Sequence, residues 1–143
     1  MKTDLAKILS VSGQRGLYLY LAQARNGAIA ESLSDKKRTM FDAHSKISTL
    51  ADIAIFTSEG ELRLAEVFTA MKQVAGGGTP VPSSKDDPEK IKDFFLMAIP
   101  NYDADRFYVS HMKKVLDWYS ELDKYASFDF VTDEEREKEL EKA

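Results

Sequence analysis

Short apolar segments, separated by turn-forming residues, fill the first half of the chain. Such segments are typical of β-strands when they contain β-branched and aromatic side chains between Gly, Asn, Asp or Ser residues. Four strands are predicted in this way, at residues 17–22, 28–33, 39–43 and 53–57. Because the first strand has apolar side chains on both faces, we expect a curled antiparallel sheet or a small SH3-like β-barrel.

The turn between the first two predicted strands has the strongest local signal. The dipeptide Asn26-Gly27 tolerates the positive φ angles that a type I′ turn requires at both central positions. With this dipeptide as the loop, Ala24 would lie opposite Ile29.

The hydrophobic period changes to about 3.6 residues after the fourth strand, which indicates a helix. Apolar side chains recur at i, i+3, i+4 and i+7, namely at Leu64, Val67, Phe68 and Met71. This amphipathic helix is expected to cover one face or end of the sheet, which gives an α+β fold.

Two further helices are predicted in the second half of the chain. Asp87 followed by Pro88 is a strong helix start, and Pro100 ends that helix. Ser110 is predicted to cap the next helix, which runs to about Tyr125. Its inward face comprises Met112, Val115, Leu116, Tyr119 and Leu122.

The second of these helices also contains the candidate interface residues. Trp118 precedes Tyr119 by one residue, about 100° around the helix, so it lies at the edge of the apolar face. Aromatic residues at such edges are favoured anchors in interfaces. We therefore predict that Trp118 and Tyr119 contribute to an interaction surface; the alternative is that Trp118 closes the intramolecular core.

A segment rich in Gly, Pro and Ser at residues 75–85 is predicted to be a flexible linker. It lacks the Gly-Lys-Ser/Thr of a phosphate-binding loop. The predicted division is therefore a small barrel-like domain with a helix at residues 1–74, the linker at 75–85, a helical domain at 86–130 and a charged tail at 131–143.

Composition narrows the functional classes. The 143 residues have a net charge of −4, which excludes a whole-protein basic field for nucleic acid. There are 10 basic and 8 acidic side chains through residue 72, and 10 basic and 16 acidic beyond it. The chain has no Cys, no apolar segment of membrane-spanning length and no signal-peptide pattern at its start, so we expect a cytoplasmic protein.

No motif indicates catalysis or a cofactor. His44 and His111 lack the spacing of a metal site, and surface or capping roles are expected for both. Asp103 and Asp105 resemble the start of a calcium loop, but Arg106 stands where that loop needs Gly. We expect instead that one of these aspartates caps a turn and pairs with Arg106.

One basic cluster is a candidate nucleic-acid contact. Lys36, Lys37 and Arg38 are predicted to form a turn between strands. Other basic and aromatic residues that would join them are Arg15, Arg25, Lys46, Tyr18, Tyr20, Phe41 and Phe56. Basic side chains beside aromatic rings hold single-stranded nucleic acid on small barrels, although a solvated turn has the same composition. The Gly13-to-Gly16 segment matches the GxxG of KH domains but precedes a strand, so turn glycines are expected there.

Several segments resemble an uncharacterised bacterial family that joins an N-terminal domain of unknown function to a small helical domain. The N-terminal matches are KILSVSGQRGLY at residues 7–18, RNG at 25–27, ESL at 31–33 and KKR at 36–38. The C-terminal matches are Tyr102-Asp103, Tyr108, Ser110, Lys113-Lys114 and Trp118-Tyr119. The resemblance spans residues 4–125 and implies no catalytic residue, and His111 stands where the pattern leads us to expect an acid.

These observations predict a non-enzymatic interaction module. Its partner would be another protein or a second copy of the chain, with no membrane and no cofactor involved. The alternative class is a nucleic-acid-binding protein that uses Lys36, Lys37 and Arg38. An enzyme is the least supported class, because signatures of a nucleophile with its base, a metal site or a phosphate loop are missing.

Overall fold

The computed structural model describes residues 3–14, 16–42, 44–132, 134–135 and 137–138. The strands are β1 Ile8–Val11, β2 Tyr18–Ala24, β3 Gly27–Ser32, β4 Arg38–Asp42, β5 Ile47–Thr49, β6 Ala54–Thr57 and β7 Gly60–Arg63. The α-helices are α1 Leu64–Gly76, α2 Pro88–Ala98 and α3 Val109–Tyr125. The expected α+β class is confirmed, whereas β1, β5 and β7 were not predicted.

The main sheet is antiparallel and open, with strand order β4-β3-β2-β1-β5. Strands β6 and β7 form a separate hairpin instead of extending it. Because β4 and β5 each pair on one side only in the described part of the chain, the sheet does not close. The antiparallel sheet of the second alternative is therefore confirmed and no closed barrel forms among the described residues, whereas the SH3-like detail stays a prediction.

The hairpin of β2 and β3 differs from the predicted register. Arg25 and Asn26 form the loop, and Gly27 begins β3 opposite Ala24. A Cβ on Gly27 would overlap the carbonyl oxygen of Phe41 in β4, so this glycine is needed where two strands approach closely. The pairing then shifts between Tyr20 and Ala22, which indicates a β-bulge.

Apolar side chains on the two faces of the sheet belong to two different clusters. One face packs on the helices, through residues such as Ile8 and Leu17. On the other face, buried Ala30 lies in a small cluster in which the rings of Tyr18 and Phe41 meet edge to face at 5.0 Å. The sheet therefore needs apolar side chains on both faces without closing into a barrel.

The main core continues from the sheet through all three helices. Buried Phe68 of α1 contacts Tyr119 of α3 as well as Phe128 and Phe130, which follow α3. Tyr119 stacks on Phe128 with ring centroids 4.5 Å apart. Sheet and helices therefore share one hydrophobic core, in which aromatic rings are prominent.

The segment at residues 75–85 is only partly exposed. Gly76, Gly77 and Gly78 are exposed, whereas Pro82 is buried and Val81 packs against the main core. Ser84 Oγ also donates to Asp117 Oδ1 of α3, at 2.6 Å. The division into separate domains stays a prediction.

The helix starts follow from specific caps. Asp87 accepts a hydrogen bond from the Glu89 N–H at 3.1 Å, which confirms the predicted start of α2. For α3 the prediction is wrong, because Tyr108 and not Ser110 is the cap residue. The Tyr108 N–H donates to His111 Nδ1 at 3.2 Å, so the imidazole satisfies a backbone donor that the first turn leaves unpaired.

The start of the described chain lies beside the segment that follows α3. Thr3 forms a parallel bridge with Phe130, supported by hydrogen bonds from Thr3 N–H to Asp129 O at 2.8 Å and from Val131 N–H to Thr3 O at 2.9 Å. Thr3 is buried. Residues 129–131 are thus held by hydrogen bonds against the segment that precedes β1.

The predicted tail at 131–143 is described only in part, since Asp133, Arg136 and residues 139–143 lie outside the described residues. Thr132 caps the next turn by accepting the Glu135 N–H at 3.2 Å. Among the described residues, no helix combines the length and apolar character needed to cross a membrane.

Candidate functional site

The two candidate interface residues have different environments. Tyr119 is only 7% exposed and belongs to the core. Burial, together with the negative charge of Asp123, raises the pKa of Tyr119. Trp118 is half-buried and packs at the margin of the same core. Only Trp118 therefore remains available to a partner.

Trp118 lies in a surface groove that we call the Trp118 groove. Its first part, of about 300 Å³, lies between the start of α3 and β6. It is lined by Ile53, Ala54, Ile55, Phe56, Arg106, Phe107, His111, Lys114, Val115 and Trp118. Because His111, Lys114 and Trp118 are three or four residues apart, one side of α3 forms this wall.

The second part of the groove, of about 550 Å³, lies on the other side of Trp118. It is lined by Ser10, Val11, Ser12, Gly13, Gln14, Gly16, Lys46, Ser48, Ile53, Lys114, Asp117 and Trp118. Ile53, Lys114 and Trp118 line both parts, so the two parts adjoin. The first part is apolar in its floor, and the second is rich in hydroxyl and amide groups.

A network of polar contacts fixes the first part of the groove. Arg106 Nε lies 2.9 Å from Asp103 Oδ2, and its guanidinium lies 4.4 Å from the ring centre of Phe56. The Asp103 N–H donates to Phe56 O at 2.8 Å. The expected pairing of Asp103 with Arg106 is therefore confirmed, and it ties the segment before α3 to β6.

The second part is fixed by the loop between β1 and β2. Gly13 and Gly16 have φ angles of 83° and 79°, which confirms that they are turn glycines. The Leu17 N–H donates to Glu121 Oε1 of α3 at 3.2 Å. The Ser12 N–H donates to Lys46 O at 2.9 Å, which places Lys46 beside this loop. Arg15, within the loop, lies outside the described residues.

The groove has an excess of positive charge. Lys46 and Lys114 are exposed, and neither forms an ion pair with any described residue. Asp117 is the acidic side chain among the lining residues, and it accepts the Ser84 hydroxyl. The Trp118 indole N–H makes no hydrogen bond within the described residues either. The groove thus offers apolar contact, cationic groups and an aromatic donor together.

The basic turn lies elsewhere. Lys36 and Lys37 are exposed in the β3–β4 turn, and Arg38, predicted in the same turn, is instead the exposed first residue of the edge strand β4. The groove adjoins β1 and β5. Arg38 Nε lies 3.7 Å from Glu31 Oε2. The Lys37 N–H donates to Asp35, and this bond is the first cause of the lowered pKa of that carboxyl. Acidic groups therefore accompany the basic ones.

The aromatic residues that the sequence predicts beside the basic cluster are dispersed over the structure. Tyr18 and Phe41 contact each other in the small sheet cluster, and Phe41 is buried. Phe56 lies under Arg106 in the Trp118 groove, and Tyr20 is 37% exposed on β2. Among the described residues they form no common stacking surface beside the basic turn.

The groove could be predicted only in part from the sequence. Lys114 precedes Trp118 by four residues, so helical periodicity alone places both on one side of α3. Lys46 reaches the groove through β5, which has no strong sequence signal, whereas Ile53 directly precedes β6 and begins the strand predicted at residues 53–57. No group of three or more His, Asp or Glu side chains suited to a metal ion occurs within the described residues.

The fold defines a class of α+β protein in which an antiparallel sheet precedes a helical part. Residues 5–50 match the model for a domain of unknown function (DUF5606), and residues 53–122 match another domain of unknown function (DUF6852). The two matches adjoin at a short turn, upstream of the predicted linker at 75–85.

A solved structure supports the same assignment. The chain is similar to a structural-genomics protein from Bacteroides vulgatus whose solution NMR structure is known, with 37% sequence identity and a TM-score of 0.69. The match covers 82% of this chain and 84% of that one. Among curated proteins, none is significantly similar. The chain belongs to the family that combines DUF5606 with DUF6852.

Proposed function

We propose that the protein is a non-enzymatic interaction module that holds a partner protein in the Trp118 groove. The observation that supports this is the combination of Trp118 with Lys46 and Lys114, two cations without ion-pair partners among the described residues. An extended acidic segment with intervening apolar side chains has the complementary chemistry, because its carboxylates would face the lysines and its apolar groups the groove floor.

Trp118 is the anchor in this proposal. A half-buried tryptophan offers a large apolar surface and an N–H donor at low cost in side-chain entropy. Ile53, which is half-buried, also lines the first part of the groove, so a leucine-sized side chain would contact both residues. Such a cluster of aromatic and aliphatic groups is typical of the centre of an interface.

We propose no catalytic residue, metal or cofactor. Histidine is the residue type that most often serves as a general base, and His111 lines the groove. Its Nδ1, however, accepts a hydrogen bond from a backbone N–H at the start of α3. A cytoplasmic location in a bacterium is part of the same proposal, because the chain lacks Cys and its solved relative is bacterial.

Fluorescence tests the proposal directly, because Trp118 is the single tryptophan of the chain. The probe is an acetylated peptide of about seven residues with alternating Glu and Leu, and its analogue has Lys in place of Glu. We expect the acidic peptide to shift the Trp118 emission in a saturable manner. The basic analogue should bind at least about tenfold more weakly, a difference of ~1.4 kcal/mol.

Two neighbouring lysines of α3 provide a matched control. Lys114→Glu removes a cation from the groove, whereas Lys113→Glu changes the net charge equally but lies outside the lining. Lys114→Glu should weaken the acidic peptide about tenfold, and Lys113→Glu should leave it unchanged. Equal effects of the two variants, or no binding of the acidic peptide, would overturn the proposal.

A single-stranded oligonucleotide serves as the competing probe. Binding at low salt that is lost with increasing salt, and on charge reversal at Lys36, Lys37 and Arg38, would favour the nucleic-acid alternative.

We also expect Trp118→Ala to lower the free energy of unfolding by clearly less than the ~3–5 kcal/mol typical of a core aromatic residue. A full core-sized loss in urea denaturation would show that the side chain is structural.

A further inference from the structure

The outer edge of the main sheet is β4, whose second side has no strand partner in the described part of the chain. Its residues are Arg38, Thr39, Met40, Phe41 and Asp42. An exposed edge presents backbone groups that can pair with a strand from another molecule. The sequence of β4 suits one particular partner.

The hydrogen-bonding pattern identifies the backbone groups that face outward. Just before β4, the Ser32 N–H donates to Lys37 O at 2.9 Å. Because antiparallel pairs alternate along a ladder, Thr39 and Phe41 face β3, and Arg38, Met40 and Asp42 face outward. The Asp42 carbonyl accepts the Ser45 N–H, so the outward N–H and C=O of Met40 form the centre of the free edge.

Side chains of the same three residues share one face of the sheet, since they are two positions apart. Met40 is 57% exposed, and the Arg38 side chain is 73% exposed although its Nε lies 3.7 Å from Glu31 Oε2 of β3 in the same chain. At this distance and exposure the internal contact is weak, and the guanidinium stays accessible to a second carboxylate. Asp42 Oδ1 accepts the His44 N–H at 2.9 Å, and Oδ2 has no partner among the described residues. The edge therefore has an apolar side chain between a cation and an anion.

We propose that β4 pairs antiparallel with β4 of a second copy of this chain, with the two-fold axis at Met40. In that register Met40 lies opposite Met40 of the second copy, and each Arg38 lies opposite Asp42 of the other copy. The outward amides then meet in hydrogen-bonded pairs, and the charges are complementary at both ends.

The charge pattern favours this register and this partner. A shift of two residues would place Arg38 opposite Met40 and remove both ion pairs. Pairing of two copies uses both β4 edges, so the assembly closes as a dimer. The Trp118 groove adjoins β1 and the opposite edge strand, β5, and stays open in both copies.

Sedimentation velocity tests the proposal on the full chain. The monomer mass is 16.1 kDa, and the edge has only five residues, so we expect a weak dimer that becomes populated toward about 1 mM. Met40→Lys places like charges at the axis and should keep the chain monomeric. Leu96→Lys is the control, because Leu96 is 49% exposed on α2, and its dimer should be unchanged.

A charge-swap mixture distinguishes this pairing from any other association. Arg38→Asp alone leaves two acidic pairs at the interface, and Asp42→Arg alone leaves two basic pairs, so each variant should be monomeric. Mixed together, the two variants satisfy both pairs and should form a heterodimer. The proposal is overturned by a wild-type chain that stays monomeric at about 1 mM, or by a dimer that survives Met40→Lys.

Discussion

Replacing Gly16 by alanine should destabilise the fold more than the same change at Gly13. Both glycines have positive φ angles, 79° and 83°, in the loop between β1 and β2. They differ in their surroundings, because a Cβ on Gly16 would overlap Glu121 Oε1, whereas one on Gly13 meets nothing within 4 Å. The comparison isolates the contact between this loop and α3.

The magnitudes follow from two separate terms. A left-handed backbone costs a non-glycine residue about 1–2 kcal/mol, and the loss of unfolded-state entropy returns about 0.4–1 kcal/mol, so Gly13→Ala should cost roughly 1 kcal/mol. At Gly16 the carboxylate of Glu121 must also move and lose its hydrogen bond to Leu17 N–H. That partly buried bond contributes about 1 kcal/mol more, so Gly16→Ala should cost roughly 2 kcal/mol.

Urea denaturation monitored by circular dichroism measures the loss of unfolding free energy in both glycine variants. A double-mutant cycle then tests whether the difference between them comes from Glu121. Glu121→Ala alone should cost about 1 kcal/mol, because it removes the same hydrogen bond. Combined with Gly16→Ala it should add little, giving a coupling of about 1 kcal/mol. Equal losses at Gly13 and Gly16, or strictly additive effects in the cycle, would refute the assigned role of Glu121.

Four further expectations follow from the core, a cap, a buried phenol and an exposed turn. Phe68→Ala should cost about 3–5 kcal/mol in urea denaturation, because the ring is fully buried among aromatic neighbours. Asp87→Ala should cost about 1 kcal/mol and Asp87→Asn much less, since asparagine also caps helices. The folded structure raises the pKa of Tyr119, so the neutral phenol stabilises the fold below the unfolded pKa near 10, and this stabilisation is lost as the pH rises through the folded pKa. Asp123→Asn should lower the pKa of Tyr119 in a spectrophotometric titration. Limited proteolysis should first cut at residues 76–80, and protection of that segment would contradict the predicted linker.

Helices were the elements most accessible from the sequence. The apolar face of α1 and the Asp87 cap of α2 were predicted correctly, because periodicity and capping are local properties. Strands β1 and β5 were missed, since they are short and gain their stability from pairing with each other and with β2. The register of β2 and β3 depends on the close approach of β4 to Gly27, which no local pattern records.

The candidate site shows the same limit. Trp118 was correctly placed at the margin of the α3 apolar face, whereas Tyr119, one residue later, belongs to the core. Helical periodicity already places Tyr119 on the inward face of α3, and Phe128, from a segment without regular secondary structure, stacks on it there. Lys46 reaches the groove through the pairing of β1 with β5, so its role required the tertiary structure.

The bridge between Thr3 and Phe130 has a consequence for how the fold can be rewired. Because Thr3 and Phe130 lie in hydrogen-bonded neighbouring segments, a flexible linker can connect the two, provided that it is long enough to reverse the chain direction between the parallel segments. Gly77, by contrast, lies at an exposed position between α1 and α2. A circular permutant that joins residue 131 to residue 3 and opens at Gly77 should therefore retain every described strand pairing. The same geometry should allow the chain to be inserted into a surface loop of another protein.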